Sequence, residues 1–269
     1  MLLQLDFEKA FDSIEWSYLA KVLSKFNFGE TFRRLFKICY TNISSTVMNN
    51  GHTCGWFSVE RGVRHGCPLS SILFILCIEI LAQQIRNNKN VSGYSYKDKN
   101  YKMSLFADDA TCIFSNILQF DIIFQIIGRF SQYSGLKLNF QKSQLVYILP
   151  WRIKPNIQYE LSIIETGSFN MLGVELGGNR PECESVNLGK KINKIGVKFN
   201  IFKQRGLTIF GKVLIAKSQG ISNLVYTLSC VDCPEKYEKQ AQLTVNNFIW
   251  PKGNNKIKHK TMIGDYDKL

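Results

Sequence analysis

The chain has 269 residues, of which 45% are apolar and 20% are charged, so it can bury a proper core and is not a disordered tail. Lysine and arginine number 34 against 21 aspartate and glutamate, which gives a net charge of +13. This excess favours a polyanionic partner, nucleic acid above all. The longest purely apolar run, residues 72–78, is far shorter than the roughly 20 residues that span a bilayer, and no membrane partner is expected.

The first residues and the cysteines bear on the location of the protein. The N-terminus has no basic region and reaches Asp6 early, unlike a secretory signal. Eight cysteines are scattered through apolar segments, a pattern typical of reduced thiols. We therefore expect an intracellular protein, in the nucleus, the cytoplasm or both.

Up to about residue 176 the hydrophobic pattern predicts a mixed α+β order of strands and helices. Ser13 is a suitable N-cap, Gly135 is a suitable residue for a helix C-terminus, and Asn50-Gly51 indicates a hairpin turn. In chain order, the predicted elements are a strand at 2–7, a helix at 16–26, helical spacing at 32–40, a hairpin of 45–48 with 54–59, a loop at 61–68, a helix at 69–86, a hairpin of 101–106 with 111–114, a helix at 118–134, and strands at 145–149 and 169–176 separated by an irregular segment at 150–155.

After Pro181 the pattern becomes helical, with helices predicted at 188–202, 208–228 and 234–248. We place a domain boundary near Ser185, which gives domains of residues 1–185 and 186–269. Residues 187–269 hold 15 lysines and arginines against five acidic residues, so +10 of the total of +13 lies there. Charge alone leaves two interpretations open, a grip on a phosphate backbone and a solvated lysine-rich face.

Three acidic residues stand where predicted strands end. Asp6 closes the first strand, and Asp108 and Asp109 lie at the tip of a hairpin. If these strands are neighbours in one sheet, their carboxylates converge, which is costly unless a divalent cation binds them. Oxygen ligands without His or Cys favour Mg²⁺ over Zn²⁺, and two such ions serve phosphoryl transfer. Taken singly, an Asp-Asp pair is also ordinary turn chemistry.

Five segments, in order along the chain, resemble the motifs of the reverse transcriptases of non-LTR (LINE-type) retrotransposons. They are Leu5-Asp6-Phe7-Glu8-Lys9-Ala10-Phe11-Asp12 for motif A, Arg61-Gly62-Val63-Arg64-His65-Gly66-Cys67-Pro68-Leu69-Ser70 for motif B, Phe106-Ala107-Asp108-Asp109 for motif C, Ser134-Gly135-Leu136-Lys137-Leu138-Asn139 with Lys142 for motif D, and Met171-Leu172-Gly173-Val174 for motif E. The likeness covers essentially the whole chain, since the basic tail through Trp250 is similar to the family's thumb.

The resemblance implies a right-hand polymerase. It would have a palm of antiparallel sheet with packed helices and a helical thumb, with the upstream fingers largely missing. The implied activity is RNA-directed DNA polymerisation, in which two Mg²⁺ ions, or Mn²⁺ in their place, assist attack of a primer 3′-hydroxyl on a dNTP. The partners would be an RNA template, a DNA primer and dNTP. The metal ligands would be Asp6, Asp108, Asp109 and the backbone carbonyl of Phe7.

The resemblance also gives roles to residues around the carboxylates and in the tail. Phe11 falls at the steric gate that selects deoxynucleotides, and Lys142 falls at the position proposed to protonate the leaving pyrophosphate. A core phenylalanine and a solvated lysine are the competing interpretations. The nucleotide-facing residues of motif B would be Arg64, His65 and Gly66, and the nucleic-acid contacts of the thumb would be Lys190, Lys191 and Lys194.

Two departures from the family pattern bear on activity. Motif B usually reads Arg-Gln-Gly, but His65 replaces the glutamine, so nucleotide affinity is expected to differ. The family carries fingers before motif A, and Met1 lies five residues before Asp6. We therefore expect a fragment, with other domains of a longer polyprotein missing.

Two alternatives stay open. One is a non-catalytic nucleic-acid-binding remnant of such an element, which keeps the basic thumb without turnover. The other is a relative of the group II intron maturases, which share the Ala-Asp-Asp box. The wording of residues 9–12 and 66–70 fits the LINE type better.

Overall fold

The computed structural model describes residues 1–147, 162–165 and 168–250. The chain divides into two compact units, unit 1 (Met1–Thr166) and unit 2 (Gly167–Leu269). Unit 1 mixes helices and strands, and the described part of unit 2 is helical apart from one hairpin. The predicted α+β class is therefore confirmed.

Unit 1 alternates short strands with helices. In chain order its elements are β1 (Leu2–Leu5), α1 (Ala10–Ser13), α2 (Trp16–Lys25), α3 (Glu30–Cys39), β2 (Ser44–Ser45), β3 (Met48–Asn49), β4 (His52–Thr53), β5 (Phe57–Ser58), α4 (Pro68–Asn87), β6 (Tyr94–Tyr96), β7 (Lys99–Tyr101), β8 (Met103–Phe106), β9 (Asp109–Ile113), α5 (Gln119–Ser134), β10 (Gln144–Tyr147) and β11 (Ser162–Glu165).

The central sheet has the strand order β11-β10-β1-β9-β8. Strand β1 lies in its middle and pairs antiparallel with both β10 and β9, while β8 and β9 form a hairpin. The amino group of Met1 is part of this arrangement, since it donates to the carbonyl of Phe114 at 2.9 Å. Strand β11 pairs in parallel with β10, and the sequence pattern did not predict it.

Helices α2, α4 and α5 pack on one another and supply about half of the core of unit 1. Leu19 of α2, Leu73 and Phe74 of α4 and Ile123 of α5 are fully buried. They join Leu3 of β1 in one hydrophobic cluster. The core therefore lies directly behind the strand that leads to Asp6.

Helix α4 has the length and mean hydropathy of a membrane-spanning helix. The length of the purely apolar run did not reveal this, because the run ends at Glu79 while the helix continues to Asn87. Its residues Cys77 and Leu81 are fully buried in the core of unit 1. One side of α4 therefore lies in the core. On another side, Ile72 and Ile75 are about half exposed.

Unit 2 begins with a hairpin and continues with helices. Its elements are β12 (Ser168–Met171), β13 (Val174–Gly177), α6 (Arg180–Glu184), α7 (Lys190–Lys203), α8 (Ile209–Ile215), α9 (Ser222–Cys230) and α10 (Glu235–Ile249), with π-helical turns at Ser185–Gly189 and Ala216–Ile221.

The core of unit 2 is built around two stacked rings. Phe199 of α7 and Phe248 of α10 lie 4.2 Å apart at an interplanar angle of 14°. Gly220 allows this stack, because a Cβ at that position would lie 2.5 Å from the Phe199 ring. At the start of α8, the Thr208 hydroxyl accepts the N–H of Gly211 at 3.2 Å, which is N-cap geometry.

Two local predictions were wrong. Ser13 ends α1 and does not cap α2, because its hydroxyl donates back to the carbonyls of Glu8 and Lys9. Residues 169–176 form the β12–β13 hairpin rather than one strand, since Leu172 and Gly173 have φ of 52° and 78°, which turns the chain. The predicted cap at Gly135, with φ of 80°, is confirmed.

Some of the sequence predictions are not tested by the structure. The irregular segment at 150–155 and the end of the strand at 145–149 lie outside the described residues. The boundary between the two units falls after Thr166, so β12 and β13 belong to unit 2. The functional division into residues 1–185 and 186–269 stays a prediction.

Candidate active site

Asp6 follows the last residue of β1, the central strand. The pairing of β1 with β9, continued by one residue, puts Asp6 opposite Asp109. Main-chain bonds hold Asp6 on its other side. Its N–H donates to the buried Ser143 hydroxyl at 3.1 Å, and its carbonyl accepts the N–H of Asn139 at 2.8 Å. The position of Asp6 is thus set by backbone register.

Asp108 and Asp109 lie at the turn of the β8–β9 hairpin. Phe106 pairs with Asp109, so Ala107 and Asp108 form a two-residue turn, and Ala107 adopts the left-handed backbone with φ of 53°. Both aspartates are exposed. The structure therefore brings Asp6, Asp108 and Asp109 to the same end of the sheet.

The three carboxylates influence one another electrostatically. Partial burial, followed by the charges of Asp108 and Asp6, raises the pKa of the Asp109 carboxyl. Among the described residues, no lysine, arginine or histidine forms an ion pair with any of the three.

The donor chemistry fits a divalent cation, since hard carboxylate oxygens without a compensating positive charge are its usual ligands. The geometry is more open than the sequence predicted. Within residues 1–147, 162–165 and 168–250, no three His, Cys, Asp or Glu are grouped closely enough to hold a metal ion. The carboxylates meet as mutually repelling charges and do not form a closed ligand cage.

A pocket of about 490 Å³ opens beside Asp6. Lys142, singled out from the sequence, lines it and is exposed, while Asp108 and Asp109 do not line it. The cations around this pocket are Lys9, Arg61, Lys137 and Lys142. A group of cations next to a carboxylate suits a ligand that carries phosphates.

A larger pocket of about 540 Å³, between α2, α4 and α5, contains none of the predicted site residues.

Sequence reasoning did not single out Lys9, Arg61 or Lys137, although each lies inside a quoted motif segment. What it lacked was the pairing that joins motif A to motif D. Phe7 forms an isolated antiparallel bridge with Leu138, and the N–H of Glu8 donates to the carbonyl of Lys137 at 2.9 Å. The side chain of Phe7 is buried, so a functional role for Phe7 falls to its backbone.

The motif B loop packs on the segment that follows Asp6. The N–H of Val63 donates to the carbonyl of Phe11 at 2.7 Å. The Phe11 ring lies between two others, with centroids 5.3 Å from His65 and 4.7 Å from Phe74. The structure therefore brings Phe11 and His65 together.

Two glycines shape this loop, Gly62 with φ of 88° and Gly66 with φ of 82°. A Cβ on Gly62 would lie 2.8 Å from the backbone of Asp12, whereas Gly66 faces open space. His65 Nε2 lies 3.6 Å from Asp12 Oδ1, and both side chains are exposed. Arg64 and Gly66 are exposed beside them.

The three predicted nucleic-acid contacts lie on α7 of unit 2. Lys190 and Lys194 are exposed. Lys191 differs, because its Nζ donates to the buried Thr227 hydroxyl at 2.5 Å. Lys190 and Lys194 are therefore the two that face solvent.

Comparisons with known proteins agree with the motifs. Residues 1–176 match the family model described as reverse transcriptase (RNA-dependent DNA polymerase). The chain is 26% identical over 267 residues to the transposon TX1 uncharacterized 149 kDa protein of Xenopus laevis, which covers 92% of this chain and 19% of that protein. It is 24% identical over 143 residues to the retrovirus-related Pol polyprotein from type-1 retrotransposable element R2 of Popillia japonica, with 53% of this chain and 20% of that protein covered.

The chain thus spans about a fifth of the length of these two curated relatives. Among solved structures it is similar to a telomerase from Candida tropicalis in complex with a TWJ fragment of telomeric RNA. The identity is 13%, the coverage is 85% of this chain and 37% of that chain, and the TM-score is 0.48.

Proposed function

The chain belongs to the reverse transcriptase (RNA-dependent DNA polymerase) family, and from this premise we propose that it is the RNA-directed DNA polymerase core of a LINE-type retrotransposon protein. It would join dNTPs to a primer 3′-hydroxyl on an RNA template. The observation that carries the proposal is the register that sets Asp6 opposite Asp109 and next to Asp108.

In this proposal residues 1–185 act as palm with partial fingers, and residues 186–269 act as thumb and C-terminal segment. The central sheet ends at the carboxylates, which suits a palm. The excess of +10 in residues 187–269 suits a thumb that holds the phosphate backbone. The relatives are several times longer than this chain, so the proposal concerns one part of a polyprotein.

Asp6, Asp108, Asp109 and the backbone carbonyl of Phe7 would hold two Mg²⁺ ions, or Mn²⁺ in their place. Such ions, when bound, lower the pKa of an attacking hydroxyl and stabilise charge on a leaving oxygen. The protein's own contribution is position, because main-chain bonds fix Asp6 and the hairpin turn fixes Asp108. This arrangement orients the reacting groups before they react.

The cations of the pocket beside Asp6, together with Phe11 and the motif B loop, would bind and orient the nucleotide. Phe11, held between the rings of His65 and Phe74, would exclude a 2′-hydroxyl as the steric gate. Lys142 would donate a proton to the leaving pyrophosphate, and Arg61 would attract the triphosphate. In motif B, the groups next to the nucleotide would be Arg64, His65 and Gly66.

Primer extension on an RNA template with dNTPs and Mg²⁺ tests the proposal. We expect extension by the chain and none by Asp108→Ala, while both bind template-primer with similar Kd. The matched control is Asp121→Asn on α5, which removes an exposed acid outside the site. Extension that survives in Asp108→Ala would contradict the proposal.

The same experiment tests the second candidate, a non-catalytic nucleic-acid-binding remnant. Two observations favour that candidate: the absence of a three-residue metal cluster within the described residues and the exposed Lys190 and Lys194. A remnant would bind template-primer with strong salt dependence and extend nothing, with or without Asp108. Metal-dependent extension by the unaltered chain would exclude it.

A further inference from the structure

The β6–β7 hairpin carries a set of residues that the proposed active site does not use. Its register pairs Tyr94 with Tyr101 and Tyr96 with Lys99. Residues paired across an antiparallel ladder share a face, as do residues two apart on one strand. Tyr94, Tyr96, Tyr101 and Lys99 therefore lie on one face of the hairpin.

The three tyrosines of this face are exposed to solvent. They are 62%, 53% and 44% exposed, in the order Tyr94, Tyr96 and Tyr101. In the part of the chain that the structure describes, none of their rings packs on another aromatic ring, and none of their hydroxyls has a hydrogen-bond partner. Folding alone does not account for three exposed aromatic rings on eight residues.

Hydrogen bonds on the opposite face and at the base of the hairpin hold its backbone in place. Asn100 donates to the Ser95 hydroxyl at 3.0 Å and accepts the N–H of Gly93 at 2.9 Å. Lys102 Nζ donates to the carbonyls of Arg86 and Asn88, at 2.8 and 2.7 Å, where α4 ends. The aromatic face is thus preorganised, which lowers the entropic cost of binding.

Positive charge borders the tyrosines. Lys97, at the turn, places its Nζ 5.3 Å from the centroid of the Tyr96 ring. Lys99 lies opposite Tyr96 in the register. The single acid of the turn, Asp98, lies between Lys97 and Lys99 in the sequence. Protein-binding surfaces are depleted in lysine at their centre. Aromatic rings interleaved with lysines are instead typical of surfaces that bind single-stranded nucleic acid.

We propose that this aromatic face is a binding site for single-stranded RNA outside the active site. Unpaired bases would stack on Tyr94, Tyr96 and Tyr101, while Lys97 and Lys99 would contact the phosphates on either side. The choice of RNA over DNA rests on the proposed function. The stacking itself does not, since it involves none of the carboxylates.

The test measures binding, so its failure is distinguishable from failure of the polymerase proposal. Fluorescence anisotropy would give the Kd of a labelled twelve-nucleotide oligo(A), its DNA counterpart and an RNA duplex of the same length. The background is Asp108→Ala, which keeps turnover out of the readout. The variants are a triple Tyr→Ala and a triple Tyr→Phe change at 94, 96 and 101.

We expect the triple alanine variant to bind oligo(A) about tenfold or more weakly, since each stack contributes through the ring. The triple phenylalanine variant should stay within about twofold, because stacking does not need the hydroxyl. Duplex binding should change little in either variant. Tyr133→Ala, which removes an exposed ring from α5, is the control and should leave every Kd unchanged.

Three results would overturn the proposal: an unchanged Kd in the alanine variant, equal loss in the phenylalanine variant, or equal loss on duplex RNA. DNA binding as tight as RNA would overturn the choice of RNA. If thermal melting shows that the alanine variant is misfolded, Lys97→Ala with Lys99→Ala replaces it. That change should lower the slope of log Kd against log salt by about 1.4 for single strands, and an unchanged slope would count against the site.

Discussion

The carboxylate end of unit 1 and the basic helices of unit 2 carry opposite charges and hold them in different ways. Asp6 and Asp109 flank the last pair of the β1–β9 ladder, Leu5 with Ala110, and Asp108 sits in a two-residue turn between paired strands. In unit 2, Lys190 and Lys194 extend into solvent from α7. The positive charge there is spread over a long segment and is not gathered at one point.

This difference shows what each task requires. Chemistry at a reacting atom requires groups held to within a fraction of an ångström, which backbone register supplies. Attraction of a phosphate backbone requires charge within a Debye length but tolerates movement of any one lysine. Substitutions at the carboxylates should therefore abolish function, whereas substitutions in unit 2 should reduce it gradually.

The largest expected effect separates the two regions directly. Asp6→Asn should slow single-turnover extension by about a thousandfold or more, because under the proposed function it would remove a metal ligand and with it several kcal/mol of transition-state stabilisation. Lys190→Ala should leave this rate nearly unchanged when template-primer is saturating, because it would weaken binding and not the chemical step. Rapid-quench measurements with saturating template-primer and dNTP would provide both rates. Equal losses in the two variants would remove the distinction.

The motif B loop offers a structural test of positional control. Gly66→Ala should lower the free energy of unfolding by ~1–2 kcal/mol, the cost of a side chain in the left-handed region. Gly62→Ala should cost about 1–3 kcal/mol more, because its Cβ meets the Asp12 backbone at 2.8 Å. Trp16 donates to the Gly62 carbonyl at 2.8 Å, so its fluorescence during chemical denaturation would report the loop. Equal costs would mean that the contact with Asp12 is not tight.

The sequence predicted the elements of this site better than their contacts. The apolar run before Asp6 and the hairpin around Asp108 are local patterns, and both were predicted. The turn is tighter than predicted, since β9 begins at Asp109 and only Ala107 and Asp108 connect the strands. The role of Ser143 depends on the pairing of β1 with β10, which joins residues far apart in sequence. No periodicity records such a contact.

The same limit applies to two sequence interpretations in unit 2. Lys191 has the sequence signature of a solvated lysine, yet it bonds to Thr227, which lies 36 positions away. Residues 169–176 have the sequence pattern of a strand, but two positive φ values at Leu172 and Gly173 divide the segment. A leucine in the left-handed region is uncommon, so propensity favoured the wrong structure there.

A salt titration would sharpen the comparison within unit 2. Changing both Lys190 and Lys194 to alanine should lower the slope of log Kd against log salt by ~1.4–1.8. Lys191→Ala should leave the slope unchanged and instead lower thermal stability, since it breaks the bond to Thr227. Filter binding of template-primer at several salt concentrations checks the slopes. A slope change from Lys191 equal to that from Lys190 would contradict its internal role.

The smallest expected effect concerns the stability cost of the carboxylates. Because burial and the charges of Asp108 and Asp6 raise the pKa of Asp109, the folded protein holds that proton more tightly than the unfolded chain does. The stability from this group is therefore complete below the unfolded pKa and is lost as pH rises through the folded pKa.

Asp109→Asn should therefore raise the free energy of unfolding at neutral pH, by at most ~1 kcal/mol because the exposed site is screened by solvent. It should change nothing well below the carboxyl pKa, where Asp109 is already neutral. Thermal melts at the two pH values without divalent cation would measure the difference. A gain of the same size at both would show that packing, and not charge, is the cause. A gain confined to neutral pH would mean that the carboxylate end is held against its own repulsion, which the exposed lysines of α7 do not require.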